Sequence, residues 1–165
     1  MPDEEVRVPA GLTNYGLLGR RYMARFIDSM FLSLLILAVL RLAGAPSNQF
    51  SLLGLSLVLI IWIGYGAAME SSPWQATLGK RLMGLRVYNS QAGRPTPLRA
   101  GGRNLVKDGP FLVLAFLPGG RLLSLIWLGA HLAVLYHSPA YQAIHDYAAQ
   151  TWVAAPEGTI QLHLS

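Results

Sequence analysis

A long segment without charge, residues 51–69, constrains this chain more than any other feature. Its nineteen residues would form a helix of about 28 Å at 1.5 Å per residue, which is enough to cross the hydrocarbon core of a bilayer. A second apolar segment, residues 22–42, precedes it. Charged residues make up only 13% of the chain, against about 25% in an ordinary soluble domain. These features predict an integral membrane protein in contact with the lipid bilayer.

Two shorter apolar segments later in the chain leave the number of spans open. Residues 98–117 and 121–137 flank Pro118–Gly120, a composition typical of a turn. In one alternative each segment is a helix and the two form a hairpin. In the other, residues 111–136 form a single broken span. The sequence therefore predicts an all-α transmembrane bundle of four, alternatively three, hydrophobic helices over residues 20–155, with a polar lead at 1–19 and a tail at 156–165.

Short elements are predicted between and after the spans. Ser72, Pro73 and Gln75 match the start of a capped helix, and Gly84 is typical of its end, so we expect an amphipathic helix that lies in the membrane interface. Residues 85–89 alternate apolar and polar side chains as a strand does, and 151–155 also fit a strand. Their pairing would form a small cytoplasmic β element, which requires the four-helix alternative. A helical turn is expected near 139–147.

The distribution of basic residues predicts the orientation in the membrane. Residues 70–110 carry seven lysines and arginines, whereas residues 41–50 carry only Arg41. Because cytoplasmic loops are enriched in Lys and Arg, we expect the N-terminus and the basic loop to be cytoplasmic. The net charge of +5 comes from basic residues clustered between apolar segments, which favours membrane loops over nucleic-acid binding.

Three charged residues lie on one face of the first predicted helix. Arg21, Arg25 and Asp28 are separated by four and three residues, a spacing that aligns them. Asp28 lies about two turns inside the apolar stretch, where an unpaired carboxylate costs several kcal/mol. Two interpretations stay open. Asp28 is either a structural carboxylate in a salt bridge with Arg25, Arg21 or a loop arginine, or an ion- or proton-binding carboxylate.

We predict that Asp28 and Asp146 belong to one charge network at the membrane surface. Buried carboxylates need partners, and the neighbouring segments are rich in basic side chains. The candidate partners are Arg25, Lys80, Arg81, Arg86, Arg103 and His145. Two further carboxylates, Asp108 and Glu70, are candidate members.

Arg99, Arg103 and Lys107 recur every four residues on one predicted helix. Such a stripe is typical of a solvated or phospholipid-facing surface. Asp146 is separately expected to accept hydrogen bonds from Lys80, Arg81 or Arg103.

His131 is a candidate intramembrane polar site. It is either part of a proton relay or a structural histidine bonded to a backbone carbonyl or to a serine such as Ser124. The four histidines show neither i,i+4 pairing nor an H-E-x-x-H sequence, so the sequence supports no metal site.

Several functional classes lack their sequence signatures. The chain has no cysteine, which excludes disulfides, iron–sulfur clusters and thiol catalysis. Nucleophile elbow, P-loop and dinucleotide fingerprints are all absent from the sequence. We therefore expect no enzyme activity and no cofactor.

Three segments carry a further signal through their order and spacing: RRYMARFIDSM at 20–30, TLGKRLMGLRVYNSQAGRPTPLRAGGRNLVK at 77–107 and YQAIHDYAAQTWVA at 141–154. Together they resemble the RDD family of small bacterial membrane proteins, named for an arginine and two aspartates. The resemblance maps the arginine to Arg21 and the aspartates to Asp28 and Asp146. The chain departs from the family in its tail, where HDYAAQT stands in place of HDRLAGT and the positive charge after the aspartate is missing.

The resemblance implies a multi-pass protein of the bacterial inner membrane and, as suggested for some members, membrane transport that includes cation/proton exchange. Two function hypotheses follow. The first is a transporter or channel subunit for a small cation or solute, with Asp28 and His131 lining a polar path. The second is a structural or accessory membrane protein whose charge network stabilises the fold and docks a partner. Because four short helices enclose little core, we expect a homo-oligomer.

Overall fold

The computed structural model describes residues 17–42, 44, 52–114, 117–138 and 141–156. The predicted lead and tail lie almost entirely outside these residues. In chain order the described elements are α1 (Leu18–Leu42), α2 (Leu52–Glu70), α3 (Leu78–Leu82), β1 (Arg86–Asn89), α4 (Pro97–Leu114), α5 (Gly120–His137), α6 (Ile144–Ala149) and β2 (Thr151–Ala154). The described part of the chain is therefore mostly helical, with one small sheet.

α1 and α2 occupy the two longest apolar segments. Among the described residues, α1 is the one helix long and apolar enough to cross a membrane by length and composition, and 17% of its most apolar 18-residue window is buried. α2 carries a shorter apolar stretch, Ser56–Glu70. Large apolar side chains on α1 and α5 are exposed, including Phe26, Leu34 and Leu125. Extensive exposed apolar surface marks a membrane or protein contact, as expected for a membrane-associated fold.

α4 and α5 are separate helices that meet at the predicted turn, Pro118–Gly120. α4 begins at Pro97, a residue favoured in the first turn because its missing N–H would have no intrahelical partner there. At the other end, Gly119 has a φ of 74°, and a Cβ on Gly120 would overlap the carbonyl oxygen of Leu114. Only glycine permits so tight a return, so the glycine pair determines the hairpin.

The predicted amphipathic helix is shorter than expected and begins later. A start at Ser72 is wrong, because α3 begins at Leu78. The Ser72 hydroxyl donates to the Met69 carbonyl at 2.7 Å and so completes the end of α2, and Gln75 has a left-handed φ of 53° that a helix excludes. The predicted end is confirmed, since Gly84 follows the last turn with a φ of 68°.

β1 and β2 pair antiparallel, which confirms the predicted sheet. Val87 lies opposite Val153, and Asn89 lies opposite Thr151. Val87 and Val153 are buried in one cluster with Ala24 of α1. The sheet is therefore packed against the N-terminal part of α1.

α4 is the central helix of the described chain. It packs against α2, α5 and α6, while α1 packs against α2 and α3. α4 approaches α2 closely at Gly66, where a Cβ would lie 2.5 Å from the Asn104 side chain. α6 begins at Ile144 rather than near residue 139, because Tyr141 has a left-handed φ of 50°. These contacts bring polar residues of α1, α2, α4 and α6 to one end of the helices.

Candidate functional site: a buried charge network and a basic cavity

Asp146 joins α6 to both α1 and α4. Its carboxylate accepts hydrogen bonds from Arg21 Nη2 at 2.6 Å and from Arg103 Nε and Nη2 at 2.9 and 2.7 Å. The Ala143 backbone N–H donates a fourth bond at 3.2 Å, so Asp146 also caps its own helix. The carboxylate is fully buried and ties together segments that are distant in sequence.

Glu70, the last residue of α2, extends the same network. Arg103 Nη1 donates to it at 2.7 Å, Asn104 Nδ2 donates at 3.0 Å, and Lys80 forms an ion pair with it. The Arg103 side chain is only 1% exposed and bridges Glu70 to Asp146. A buried guanidinium between two carboxylates is compensated, whereas removal of one carboxylate would leave charge that is poorly paired.

Asp108 is the centre of a second group of ion pairs. Arg25 donates to both oxygens of its carboxylate, and Lys107 Nζ lies 3.4 Å from it. Lys107 also donates to Asn104 Oδ1 at 2.7 Å, which links this group to Glu70. The name charge network is used below for these eight ionisable residues: Arg21, Arg25, Glu70, Lys80, Arg103, Lys107, Asp108 and Asp146.

The basic residues of the stripe on α4 lie in different environments, one exposed to the surroundings and the others inside the protein. Arg99 is exposed, whereas Arg103 is buried and the Lys107 side chain is 17% exposed. A solvated or phospholipid-facing stripe is therefore wrong for Arg103, because this side of α4 faces α2 and α6. Of the three expected donors Lys80, Arg81 and Arg103, it is Arg103 that bonds to Asp146.

Asp28 lies outside the charge network and has uncharged partners. It accepts hydrogen bonds from Tyr65 Oη at 3.0 Å, Thr77 Oγ1 at 2.5 Å and the Gly79 N–H at 2.8 Å. A Cβ on Gly79 would overlap the Ala24 carbonyl and lie 2.9 Å from the Asp28 carboxyl carbon. The predicted salt bridge is wrong, because Arg21 and Arg25, the candidate partners on its own helix, pair with Asp146 and Asp108. Asp28 instead joins α1 to α2 and to the start of α3.

His131 pairs with His145, a partner that the sequence did not suggest. Nε2 of His131 lies 3.1 Å from Nδ1 of His145, and the stacked rings have centroids 5.2 Å apart. Trp127 packs edge-on against His131 at 4.8 Å between centroids. One ring nitrogen of the pair donates and the other accepts, so the contact fixes complementary tautomers.

Three of the predicted partners, Arg81, Arg86 and His145, lie outside the charge network, although His145 Nε2 is 3.5 Å from Asp146 Oδ1. Arg81 packs over the ring of Trp74, with its guanidinium carbon 3.9 Å from the ring centroid. Arg86 is exposed on β1. Consecutive helical side chains point about 100° apart, so when Lys80 faces Glu70 its neighbour Arg81 faces outward.

A cavity of about 290 Å³ lies beside the charge network. Its cationic lining consists of Arg21, Arg25, Lys80, Arg103 and Lys107. The paired histidines line it as well, and the rest of the wall is largely apolar, with Phe111, Leu128, Leu132 and Leu135. In the described chain none of the network carboxylates lines this cavity, so it presents positive charge.

Lys80 on α3 and the pair His145 and Asp146 on α6 have shifted pKa values. Burial lowers the pKa of Lys80 to about 7, against the opposing effect of Glu70. Burial also lowers the pKa of His145 well below its usual value. Burial alone would raise the pKa of Asp146. The nearby charges, of which Arg103 has the largest effect, hold its pKa well below the usual range. At neutral pH Asp146 is therefore an anion and His145 is uncharged.

A model of the RDD family matches residues 15–150 of the chain. The chain belongs to the RDD family. In this RDD protein, two of the three residues that the family resemblance singles out, Arg21 and Asp146, form a direct ion pair, while the third, Asp28, lies in a separate hydrogen-bonded site. Asp146, which no positive charge follows in the chain, pairs with Arg21 and Arg103. Comparisons with curated proteins and with solved structures give no significant match.

The sequence did not predict the uncharged residues that bind Asp28 or that connect the ion pairs of the charge network. Tyr65 and Thr77 bind Asp28, and Asn104 connects the two ion-pair groups. Uncharged polar residues are common in loops and at helix ends, so they give no signal comparable to a charge inside an apolar segment. Asn104 directly follows Arg103 in the sequence, and this was the one indication that it lies near the charge network.

Proposed function

We propose that this RDD protein is a multi-pass inner-membrane protein whose basic cavity binds an anionic ligand, as the recognition site of a transporter subunit. The observation that carries the proposal is the lining of the cavity, in which five cationic side chains meet. Clustered cations attract anions and exclude small cations. The proposed ligand is thus opposite in charge to the cation considered from the sequence.

The proposed membrane arrangement has four crossings, by α1, α2, α4 and α5. It is supported by the pairing of β1 with β2, because residues 89 and 151 then lie on one side and the chain between them crosses an even number of times. The charge network adds support, since it joins the start of α1, the end of α2 and α6. The positive-inside rule assigns this end to the cytoplasm.

Cysteine labelling tests this arrangement, because the native chain has no cysteine. Single cysteines at Gln91 and Ala148 should resist a membrane-impermeant maleimide in intact cells. Cysteines at Arg41 and Pro118 should react. Labelling of Ala148 together with Arg41 would refute the four-crossing arrangement.

The cavity is suited to a ligand that arrives from the membrane surface. The Arg25 side chain is 41% exposed, so part of the cationic lining is accessible to an incoming anion. The three network carboxylates already compensate part of the positive charge, which allows five cations to lie close together without a ligand. The positive charge that remains, which includes the partly protonated Lys80, is available to an anion.

Thermal unfolding of the detergent-purified protein tests anion binding. Sodium phosphate should raise the unfolding midpoint above that in sodium chloride at equal ionic strength, because a ligand that binds only the folded state stabilises it by about 2.7 kcal/mol at 100 times its Kd. Replacing sodium by potassium at constant phosphate serves as the cation control. Equal midpoints in phosphate, sulfate and chloride would contradict the proposal.

A second candidate function is that of a structural or accessory membrane protein. It is favoured by the complete internal pairing of Asp28, whose three donors leave no indication of a cation site. This candidate predicts no ligand-dependent stabilisation and no ion flux in liposomes. Flux of sodium or potassium that is lost in Asp28→Asn, with the folded protein retained, would instead favour the cation transporter.

A further inference from the structure

The basic cavity has an apolar wall that a free inorganic anion does not need. Phe111, Leu128, Leu132 and Leu135 line it together with the cations. Its volume of about 290 Å³ corresponds to roughly ten water molecules at about 30 Å³ each. A single tetrahedral anion would contact the cations and leave most of the apolar wall without a partner.

The charge of the lining matches a phosphate monoester. Five basic side chains line the cavity, and three carboxylates of the same network pair with them. Because burial lowers the pKa of Lys80 to about 7, between one and two positive charges remain at neutral pH. A phosphate monoester carries about −1.5 to −2 at neutral pH. Lys80 is suited to donate to a phosphate as well as to Glu70. Its ammonium group has three N–H donors, and the bond to Glu70 uses one of them.

Two side chains that line the cavity on α1 and α5 are partly exposed. Tyr22 and Leu128, which line it, are each 43% exposed. Beyond them the same helices expose Phe26 and Leu125, which belong to the surface that we assign to lipid. A ligand with its phosphate among the cations would therefore place an attached chain on the lipid-facing surface.

From this combination we propose that the cavity binds the phosphomonoester headgroup of a membrane lipid, with the lipid chain leaving between α1 and α5. The inference rests on the proposed anion-binding function and names its ligand class. Charge complementarity selects the headgroup, and the apolar opening selects a ligand that is already in the bilayer. The protein thus recognises a lipid phosphate laterally, from the cytoplasmic leaflet.

Calorimetric titration of the full-length protein in detergent tests the ligand class. The probes are dihexanoyl phosphatidic acid, dihexanoyl phosphatidylglycerol and inorganic phosphate. We expect phosphatidic acid to bind at least tenfold more tightly than either of the other two, since it alone combines the monoester charge with a chain. Equal affinity for phosphatidic acid and inorganic phosphate would overturn the lipid inference.

A matched pair of variants on α5 separates the two sources of phosphate. Leu128→Gln changes the apolar wall of the cavity, whereas Leu125→Gln changes an exposed leucine of the same helix outside the lining. We expect Leu128→Gln to weaken phosphatidic acid binding about tenfold and to leave phosphate binding unchanged, and Leu125→Gln to change neither.

The outcomes also separate this inference from the proposed function on which it rests. If inorganic phosphate binds and Leu128→Gln has no effect on phosphatidic acid, the lipid inference fails and anion binding stands. If neither phosphate nor phosphatidic acid binds to the folded protein, both fail.

Discussion

Replacing Asp146 by asparagine should strongly destabilise the protein. The carboxylate accepts three hydrogen bonds from two arginines, Arg21 and Arg103, and a fourth from the Ala143 N–H. An asparagine keeps one acceptor oxygen but loses the negative charge. Arg103, at 1% exposure, then keeps only Glu70 as an ion-pair partner.

The magnitude follows from the burial of the partners. Breaking a buried ion pair by removing one partner costs about 3–5 kcal/mol, and the remaining contact of Arg103 with Glu70 places the estimate at about 3 kcal/mol. For a chain of this size each kcal/mol shifts the unfolding midpoint by about 2–4 °C. Asp146→Asn should therefore lower the midpoint by about 6–12 °C.

The assay is thermal unfolding in detergent, followed by the intrinsic fluorescence of the four tryptophans. Arg86→Gln is the control, because Arg86 is exposed and a surface change of this kind stays within about 0.5 kcal/mol. Arg21→Gln should fall between the two, since it removes one of the two arginines from Asp146. A midpoint for Asp146→Asn within 1–2 °C (about 0.5 kcal/mol) of the wild type would refute the argument that this carboxylate holds the helices together.

Two further predictions concern pH and backbone packing. Burial holds the pKa of His145 well below its usual value, so the unfolded chain binds a proton below about pH 6.5 that the folded protein does not bind. The contribution of His145 to stability is then complete above pH 6.5 and falls by up to about 1.4 kcal/mol per pH unit below it. His145→Gln should flatten this decline between pH 6.5 and 5, and parallel pH curves of the variant and the wild type would contradict it. Gly79→Ala should lower the free energy of unfolding by about 2 kcal/mol or more, because the added Cβ would overlap backbone atoms. Gly102→Ala, with open space around the new Cβ, should be neutral or stabilising by up to about 1 kcal/mol. Chemical denaturation compares the two variants, and equal effects would refute the close contact at Gly79.

The regular elements were largely predictable from local sequence signals. The strands followed from alternation at residues 85–89 and from a β-rich segment at 151–155, and the hairpin of α4 and α5 followed from the glycines after Pro118. Each of these signals acts within a few residues. The start of α3 was not predictable, because the hydroxyl of Ser72 has two competing uses, as a helix cap and as a donor to the preceding helix, and the second is realised.

The charged residues of the candidate site were predictable from the sequence, but most of their hydrogen-bond partners were not. Charges inside or beside apolar segments must find partners, so Arg103 and Asp146 could be expected to meet. The partners of Asp28 could not, since they lie 37 to 51 residues away and are uncharged. The cavity depends on how α1 and α5 are placed around α4, which no local signal encodes.

The central claim is that the cationic lining of the cavity binds an anion, and calorimetric titration of one pair of α4 variants tests it most directly. Lys107 lines the cavity and Arg99 is exposed on the same helix. Lys107→Gln should weaken the binding of phosphate or phosphatidic acid about tenfold, which is about 1.4 kcal/mol, while Arg99→Gln should leave it unchanged. Equal affinities for both variants and the wild type, with the fold retained, would contradict the claim.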